Sequence, residues 1–370
     1  MTEAAVKPHA TRNLNLDLLR GLALMMVLVD HIESHADAGL ISRWSLKEFG
    51  FSDGADLFVF LSGYVFGLVY YPRVYSYGLR KSGLHALYRS FQIYIVYLAT
   101  VLVLLDIGYC FGHLSPLLKM RLALYRGGSE CVCSSLVMAY QPYGIGILCF
   151  YALILPWMPL MLWFFSVHPI LATVVSFSGY LYAQTFPYAS LPSFPGEPVW
   201  NFNPLAWQFL FFLGLACYAV QPKKAELRSQ NIRFTLASSV LLFSMALKLG
   251  WLESILSSFS ISQISSWANV ASNKSCLGPL RIVHFLSLAF VFSCLAPSSN
   301  SPVWRSKFLQ PLVVCGQHSL HIYALGVVLL FVSIIVFDLY GSQAWLVLTI
   351  IVISMLSSIT LAFSLHRLKK

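Results

Sequence analysis

Residues 15–34 have the sequence NLDLLRGLALMMVLVDHIES, an apolar run that contains several ionisable side chains. A helix of about 20 mostly apolar residues spans the hydrocarbon core of a bilayer. A charged side chain at the centre of that core costs about 2.5–3.5 kcal/mol on insertion scales, so such residues usually face protein or a wet cavity. The run therefore predicts a membrane span whose charged residues face other helices.

The composition of the whole chain also indicates an integral membrane protein. Of its 370 residues, 58% are hydrophobic and 10% are charged, whereas about a quarter of the residues of a soluble domain are charged. The net charge is +10, but no basic patch interleaved with aromatic residues lies outside the apolar runs. We therefore expect the lipid bilayer as a partner and exclude nucleic acid.

Hydrophobic runs along the chain predict an all-α fold, a polytopic helical bundle with about ten transmembrane helices. The predicted spans lie near 15–34, 54–71, 85–108, 134–160, 163–184, 203–221, 233–252, 278–297, 309–337 and 343–366. Pro156, Pro159 and Pro169 interrupt the stretch 134–184. That stretch holds either two spans or a re-entrant segment.

The positive charges of the links predict that both termini are cytoplasmic, because cytoplasmic loops carry an excess of Lys and Arg. With ten spans, one side of the membrane receives Lys7, Arg12, Arg73, Arg80, Lys81, Arg89, Lys223, Lys224, Arg228, Arg233, Arg305, Lys307, Arg367, Lys369 and Lys370. The segment 109–133 also carries cations but falls on the opposite side. It is the one discordant stretch.

The sequence predicts a single membrane domain over residues 15–366, between cytoplasmic tails at 1–14 and 367–370. No cleavable signal peptide is predicted, because the first apolar run contains charged residues and lacks a small-residue cleavage site. Most of the eight cysteines fall in apolar runs, where Cys behaves as a small hydrophobe. Three lie in predicted loops, either as thiols or with two of them in a disulfide: Cys131, Cys133 and Cys276.

Asp17, Arg20 and His31 share one face of the first predicted span. Arg20 and His31 are eleven residues apart, which corresponds to about 1,100° of helical rotation and roughly 16 Å along the axis. One interpretation is an Asp17–Arg20 pair that snorkels to the interface, with His31 solvated at the other end. In the functional interpretation, Arg20 binds an anionic group and His31 acts as a base.

Polar residues also open the second and sixth predicted spans. Asp53 and Asp56 lie three residues apart and share a helix face, where either acid could orient His31 and Asp53 could instead cap the helix. Trp207 and Gln208 begin the sixth span. A tryptophan at that position is typical of the membrane interface, whereas the adjacent glutamine favours a functional role.

Two further spans carry histidines close to other polar residues. Arg281 and His284 lie one turn apart in the eighth span, and His318 and His321 lie one turn apart in the ninth. Two histidines at that spacing bind metal where further ligands complete the site. The sequence offers no convincing third and fourth ligand, so no metal site is predicted.

The sequence contains none of three common catalytic or nucleotide-binding motifs, namely the G-x-S-x-G elbow, the P-loop and H-E-x-x-H. Gly63 and Gly67 in the second span are spaced as G-x-x-x-G. This spacing favours close packing of two helices over a chemical role.

Five motifs in order along the chain resemble one family. LDLLRGLA at residues 16–23, followed by His31, resembles the first-span signature of membrane-bound acyltransferases of the acyltransferase-3 type. The chain more narrowly resembles the OpgC family, which is associated with succinylation of osmoregulated periplasmic glucans. The further motifs that carry this resemblance are FGFSD at 49–53, NPLAWQ at 203–208, LGPLR at 277–281 with His284, and GQHSL at 316–320.

The resemblance implies a multi-pass protein of the bacterial cytoplasmic (inner) membrane, with a cytoplasmic acyl-CoA donor and a carbohydrate acceptor on the far side. It implies that Arg20 and His31 are essential, and that no cofactor is tightly bound. Further positions match the family without assigned roles: Asp17, Asp53, Asp56, Trp207, Gln208, Arg281, His284 and His318. At position 56 the family often has the longer Glu.

The resulting hypothesis is transfer of an acyl group, succinyl in the favoured case, from coenzyme A to a glucan hydroxyl. Arg20 would bind the donor, His31 would take the hydroxyl proton, and Arg281 or Gln208 would stabilise the oxyanion. Two alternatives stay open, namely acetyl transfer to another envelope glycan and transport or flipping of a glycan or lipid through the buried charges. Homo-oligomerisation also stays open.

Overall fold

The computed structural model of this protein consists of α-helices and the segments that connect them. The described residues are 13–195, 199–220, 227–251, 268, 270–295, 301, 303 and 306–368. No β-strand occurs within these ranges, which confirms the predicted all-α class. Several cations used to predict the orientation lie outside the described residues: Lys7, Arg12, Lys223, Lys224, Arg305, Lys369 and Lys370.

The first helix begins at an N-cap, where the Asn13 side chain accepts hydrogen bonds from the backbone N–H groups of Asn15 and Leu16. This satisfies donors that the first turn of a helix leaves without partners. In chain order the helices are α1 Leu14–Ala36, α2 Gly54–Phe111, α3 Pro116–Arg121, α4 Gly128–Leu136, α5 Gly146–Ile154, α6 Met158–Val167, α7 Pro169–Thr185, α8 Pro204–Val220, α9 Leu227–Lys248, α10 Pro279–Leu295, α11 Gln310–Gln317, α12 Ser319–Tyr340 and α13 Ala344–Leu368.

Fewer helices meet the length and composition of a membrane span than the ten predicted. Three described helices do so, namely α2, α12 and α13. Helices α5 and α6 form a pair bent by 52°, which is either a broken span or a re-entrant loop. Counted as one span, this pair raises the number to four. The apolar helices α8 and α10 have only 17 residues each, and α1 carries several ionisable residues. The sequence-based count included such shorter and charged segments.

Helix α2 contains two of the predicted spans, because the chain folds back at Gly78. That glycine has φ 79° and ψ 167° inside the helix, a conformation that glycine adopts readily. The Tyr70 hydroxyl lies 2.8 Å from Nδ1 of His85, although fifteen residues of straight helix would place them about 22 Å apart. The two halves of α2 are therefore joined at a sharp turn that brings their polar residues together.

Helices α2 and α8 approach each other closely through glycine. A Cβ atom added at Gly63 would overlap the carbonyl oxygen of Phe211, and one added at Gly214 would overlap that of Phe60. Gly67 also faces α8, because a Cβ atom added there would lie 3.0 Å from the Tyr218 side chain, closer than ordinary van der Waals contact. The G-x-x-x-G spacing therefore marks a packing surface, as predicted.

Gly63→Ala is expected to destabilise the protein by about 1–3 kcal/mol, because the added methyl group forces α2 and α8 apart. Thermal unfolding of the detergent-solubilised protein measures this loss. Gly83→Ala in the same helix is the matched control, since no heavy atom lies within 4 Å of its added Cβ. Equal melting temperatures for the two variants would contradict the close approach.

Helix α1 occupies the interior of the bundle and carries both principal predicted site residues. It packs against α2, α11, α12 and α13. The three cysteines of the predicted loops form no disulfide in the described structure: Cys131, Cys133 and Cys276. Arg20 and His31 lie at opposite ends of α1, and each faces a separate cavity.

Candidate active site

Two cavities lie end to end beside α1. The Arg20 cavity, which we name after that residue, has a volume of about 240 Å³. The His31 cavity has a volume of about 390 Å³. Phe58, Ile147 and Tyr323 line both cavities, so a single layer of side chains separates them. We call these three side chains the partition.

The two cavities differ in charge. The described lining of the Arg20 cavity contains the cations Arg20 and Arg89 with His85, and no carboxylate. The charges that line the His31 cavity form two ion pairs. Lys47 lies 3.5 Å from Asp30, and Lys274 pairs with Asp53. The Arg20 cavity therefore suits an anionic ligand, and the His31 cavity suits a neutral polar one.

Arg20 lies at the partition end of its cavity. Its guanidinium donates a hydrogen bond of 2.6 Å to the Ser319 hydroxyl at the start of α12. The same guanidinium lies 5.6 Å from the ring centroid of Phe58, which is within cation–π distance. Arg20 is therefore oriented across the bundle towards the partition.

A basic cluster forms where α2 folds back. The Arg73 guanidinium lies 2.9 Å and 3.0 Å from the two ring nitrogens of His85 and 5.6 Å from the Tyr70 ring. Arg89 donates a hydrogen bond of 3.0 Å to Gln92. Because His85, Arg89 and Tyr70 also line the Arg20 cavity, one part of this cavity is surrounded by several cationic donors.

His31 contacts a tyrosine rather than an acid. Its Nδ1 lies 3.0 Å from the Tyr143 hydroxyl, and the two rings meet edge to face with centroids 4.9 Å apart. Asp53 and Asp56, which the sequence suggested as partners of His31, hydrogen-bond to other residues. The structure therefore does not place either carboxylate as the group that orients the imidazole.

The two acids at the start of α2 bind Arg281. Asp53 caps α2 and forms a capping box with Asp56, and the buried Arg281 guanidinium contacts Asp56 directly and Asp53 at 3.2 Å. Lys274 donates a second charged hydrogen bond to Asp53 at 2.7 Å. Burial raises the pKa of Asp53, but Lys274 and Arg281 outweigh it, so the pKa lies well below its usual value and Asp53 is ionised.

Trp207 is buried at the start of α8 and holds the segment that carries Lys274. Its indole N–H donates to the carbonyl oxygens of Lys274 at 3.0 Å and Ser275 at 3.2 Å. The Phe202 ring packs against it, with centroids 4.7 Å apart. The interpretation of Trp207 as a membrane-interface residue is therefore wrong, because the indole is enclosed by protein and anchors one wall of the His31 cavity.

A comparison with known protein families identifies the relationship. The OpgC protein family matches residues 12–370, essentially the whole chain. The chain belongs to the OpgC family. Membership suggests a membrane acyltransferase that acts on a glucan. Searches of curated proteins and of solved structures gave no match.

Asp56, Trp207 and Arg281 line neither cavity, and the same is true of four further positions that resemble OpgC motifs. Gln208 is engaged by Ser176, whose hydroxyl donates to Oε1 at 2.7 Å and whose carbonyl accepts from Nε2 at 2.7 Å. His284 lies with Nδ1 2.9 Å from the Ser52 hydroxyl. His318 lies near His366, with ring centroids 6.2 Å apart. Asp17 is buried in α1. These side chains shape the surroundings of the cavities rather than their surfaces.

The structure adds site residues that sequence reasoning did not select. Tyr143, Lys274 and Tyr323 line the His31 cavity, and Arg89 and Ser319 line the Arg20 cavity. Ser319 falls inside the OpgC motif GQHSL, which was a usable signal. The other four lie outside the motifs. No group of three or more His, Cys, Asp or Glu residues is arranged to hold a metal ion within the described ranges.

Proposed function

We propose that this OpgC family member transfers an acyl group, succinyl in the favoured case, from cytoplasmic acyl-CoA to a hydroxyl of a periplasmic glucan. The observation that carries the proposal is the pair of cavities on either side of one partition. The described lining of one cavity contains arginines and no carboxylate, and that of the other contains a histidine together with two lysine–aspartate pairs. These properties match an anionic donor and a neutral hydroxyl acceptor.

The donor occupies the Arg20 cavity in this proposal. Acyl-CoA carries phosphates, and a succinyl group carries a further carboxylate, so arginines are suitable partners for either end. Arg89 and Arg73 lie at the turn of α2 and would bind phosphate oxygens, whereas Arg20 adjoins the partition through Phe58. Arg20 would therefore bind the acyl end of the donor close to the site of transfer.

The acceptor hydroxyl binds in the His31 cavity. His31 accepts the hydroxyl proton as the oxygen attacks the thioester carbonyl carbon, a C–O bond forms, and the C–S bond breaks when the intermediate collapses. The proton then passes to the departing CoA thiolate, so that protons balance over one turnover. The thioester supplies the activation, and the reaction requires no metal.

The oxyanion of the intermediate needs a donor on the His31 side of the partition. Arg281 and Gln208 were the sequence-based choices, but Arg281 is bound by two carboxylates and Gln208 by Ser176. Lys274 lines the His31 cavity and is partly exposed. We assign the oxyanion contact to Lys274, which Asp53 holds in place.

The proposal places the membrane domain, residues 15–366, in the bacterial inner membrane with both termini in the cytoplasm. Support for this orientation comes from the Lys and Arg bias of the links. In that orientation the Arg20 end of α1 is cytoplasmic and the His31 end is periplasmic. The acyl group crosses most of the bilayer inside the bundle, along the Arg20 cavity and past the partition.

Arg20→Ala is expected to raise the KM for the acyl-CoA donor about 10- to 100-fold, because the donor loses one charged hydrogen-bond partner. Initial rates with purified protein measure the effect, with donor and acceptor concentrations varied separately. Arg20→Lys should recover part of the loss because it keeps the charge. Arg43→Ala is the control, since Arg43 is exposed and bonds only the Gly39 carbonyl among the described contacts.

The Arg20 experiment also separates the two cavities. An unchanged donor KM together with a raised acceptor KM would contradict the assignment of the Arg20 cavity to the donor. Unchanged values for both substrates would remove Arg20 from the site.

A further inference from the structure

The strongest unassigned contact in the His31 cavity is the hydrogen bond between His31 Nδ1 and the Tyr143 hydroxyl, at 3.0 Å. Tyr143 lies in the segment between α4 and α5, and no motif of the sequence selects it. We propose that Tyr143 is the positioning residue of His31, fixing the imidazole so that Nε2 accepts the proton of the acceptor hydroxyl. This inference rests on the proposed function, because it assumes that His31 is the base.

The tautomer of His31 follows from the direction of this hydrogen bond. A neutral imidazole carries one N–H, and the partner of one nitrogen determines whether the other is available as a base. When Nδ1–H donates to the Tyr143 oxygen, Nε2 has a lone pair for the acceptor. If the phenol donated to Nδ1, the proton would lie on Nε2 and His31 could not act as a base there.

Three acids near His31 contact cations in the described structure. Asp53 and Asp56 bind Arg281, and Asp30 lies 3.5 Å from Lys47. Tyr143 therefore occupies the place that a carboxylate takes in a Ser-His-Asp triad. A phenol oxygen is a neutral acceptor and stabilises an imidazolium less than a carboxylate does, so the protonated His31 returns its proton readily to the CoA thiolate.

The surroundings of Tyr143 fix its ring. Arg121 lies 5.7 Å from the ring centroid on one side, and the His35 ring packs edge-on with centroids 5.0 Å apart. The chain on either side is also anchored: the Gln141 N–H donates to the Phe194 carbonyl at 2.6 Å, and the Tyr323 hydroxyl donates to the Gly144 carbonyl. A hydroxyl held in this way positions its partner without moving during turnover.

Tyr143→Phe tests the proposal by removing only the hydroxyl and keeping the ring. The expected result is a fall in kcat of about tenfold or more, which is part of the 10²–10⁴-fold acceleration that a general base supplies. Both KM values should stay within about twofold of the wild-type values. Tyr94→Phe is the matched control, because its hydroxyl bonds the Leu136 carbonyl away from both cavities. That control is expected to keep the wild-type kcat.

A second variant distinguishes positioning from a general loss of structure. In a His31→Gln background, Tyr143→Phe should leave the remaining rate unchanged, because its effect passes through His31. A further fall in that background, a wild-type kcat for Tyr143→Phe, or failure of Tyr143→Phe to be recovered from membranes in amounts like Tyr94→Phe would each overturn the proposal. Full activity of His31→Gln would instead overturn the proposed function itself.

Discussion

His31→Gln is expected to lower kcat about 10²–10⁴-fold, because the substitution removes the base that takes the acceptor proton. The amide keeps a polar side chain in the His31 cavity and avoids an empty space beside Tyr143. The donor KM should stay close to its wild-type value, since the donor occupies the other cavity. Acylated glucan and CoA thiol measured over time in detergent give both parameters.

The matched control for this variant is His113→Gln, which changes an exposed histidine that lines neither cavity. It should keep the wild-type kcat. If a folded, membrane-inserted His31→Gln protein had the same turnover as this control, His31 would not be the general base. A change in donor KM alone would move His31 to a binding role.

Asp56→Asn is expected to lower the free energy of unfolding by about 3 kcal/mol or more, the cost of removing one partner of a buried ion pair. Asp56 is fully buried and the Arg281 side chain is 8% exposed. The substitution preserves the shape and the hydrogen bond from the Asp53 N–H, so the loss reports the charge. Thermal unfolding in detergent measures it through the change in melting temperature.

Two further variants isolate the ion pair. Asp106→Asn changes an exposed acid of the same helix and should leave the melting temperature unchanged. Asp56→Leu combined with Arg281→Met should be more stable than Asp56→Leu alone, because the single replacement leaves the buried Arg281 with only one of its two carboxylates. Equal stability of Asp56→Asn and Asp106→Asn would show that Arg281 does not depend on Asp56.

Helical periodicity and charge were sufficient to predict the all-α class and the relative placement of Arg20 and His31. The eleven-residue separation of Arg20 and His31 placed them on one face at opposite ends of a helix, and the structure gives each a cavity there. The spacing of Gly63 and Gly67 likewise predicted close packing. These features depend on residues within one helix, where the geometry is fixed by the 3.6-residue period.

Contacts between distant segments could not be predicted in the same way. Tyr143 reaches His31 across 112 positions of the sequence, and Lys274 reaches Asp53 across 221, through segments that have no periodic pattern. The sequence suggested that an acid orients His31, but Arg281 binds those acids because a buried carboxylate requires a cation or hydrogen-bond donors. Which cation meets which acid depends on tertiary packing.

Trp207 shows why a single aromatic residue is a poor guide in a membrane protein. Tryptophan favours both the lipid interface and protein interiors where its N–H has an acceptor. Only the structure reveals the two carbonyl acceptors of the loop at Lys274 and Ser275.

Acyl transfer across the membrane is measured most directly with purified protein reconstituted into vesicles that contain trapped glucan oligosaccharides. Radiolabelled succinyl-CoA is added to the outside, and the vesicles contain protein oriented with its Arg20 end outward. We expect labelled glucan in the lumen and one CoA thiol released outside for each acyl group transferred. Absence of turnover with succinyl-CoA and acetyl-CoA, together with glucan crossing the vesicle membrane, would contradict acyl transfer and establish transport instead.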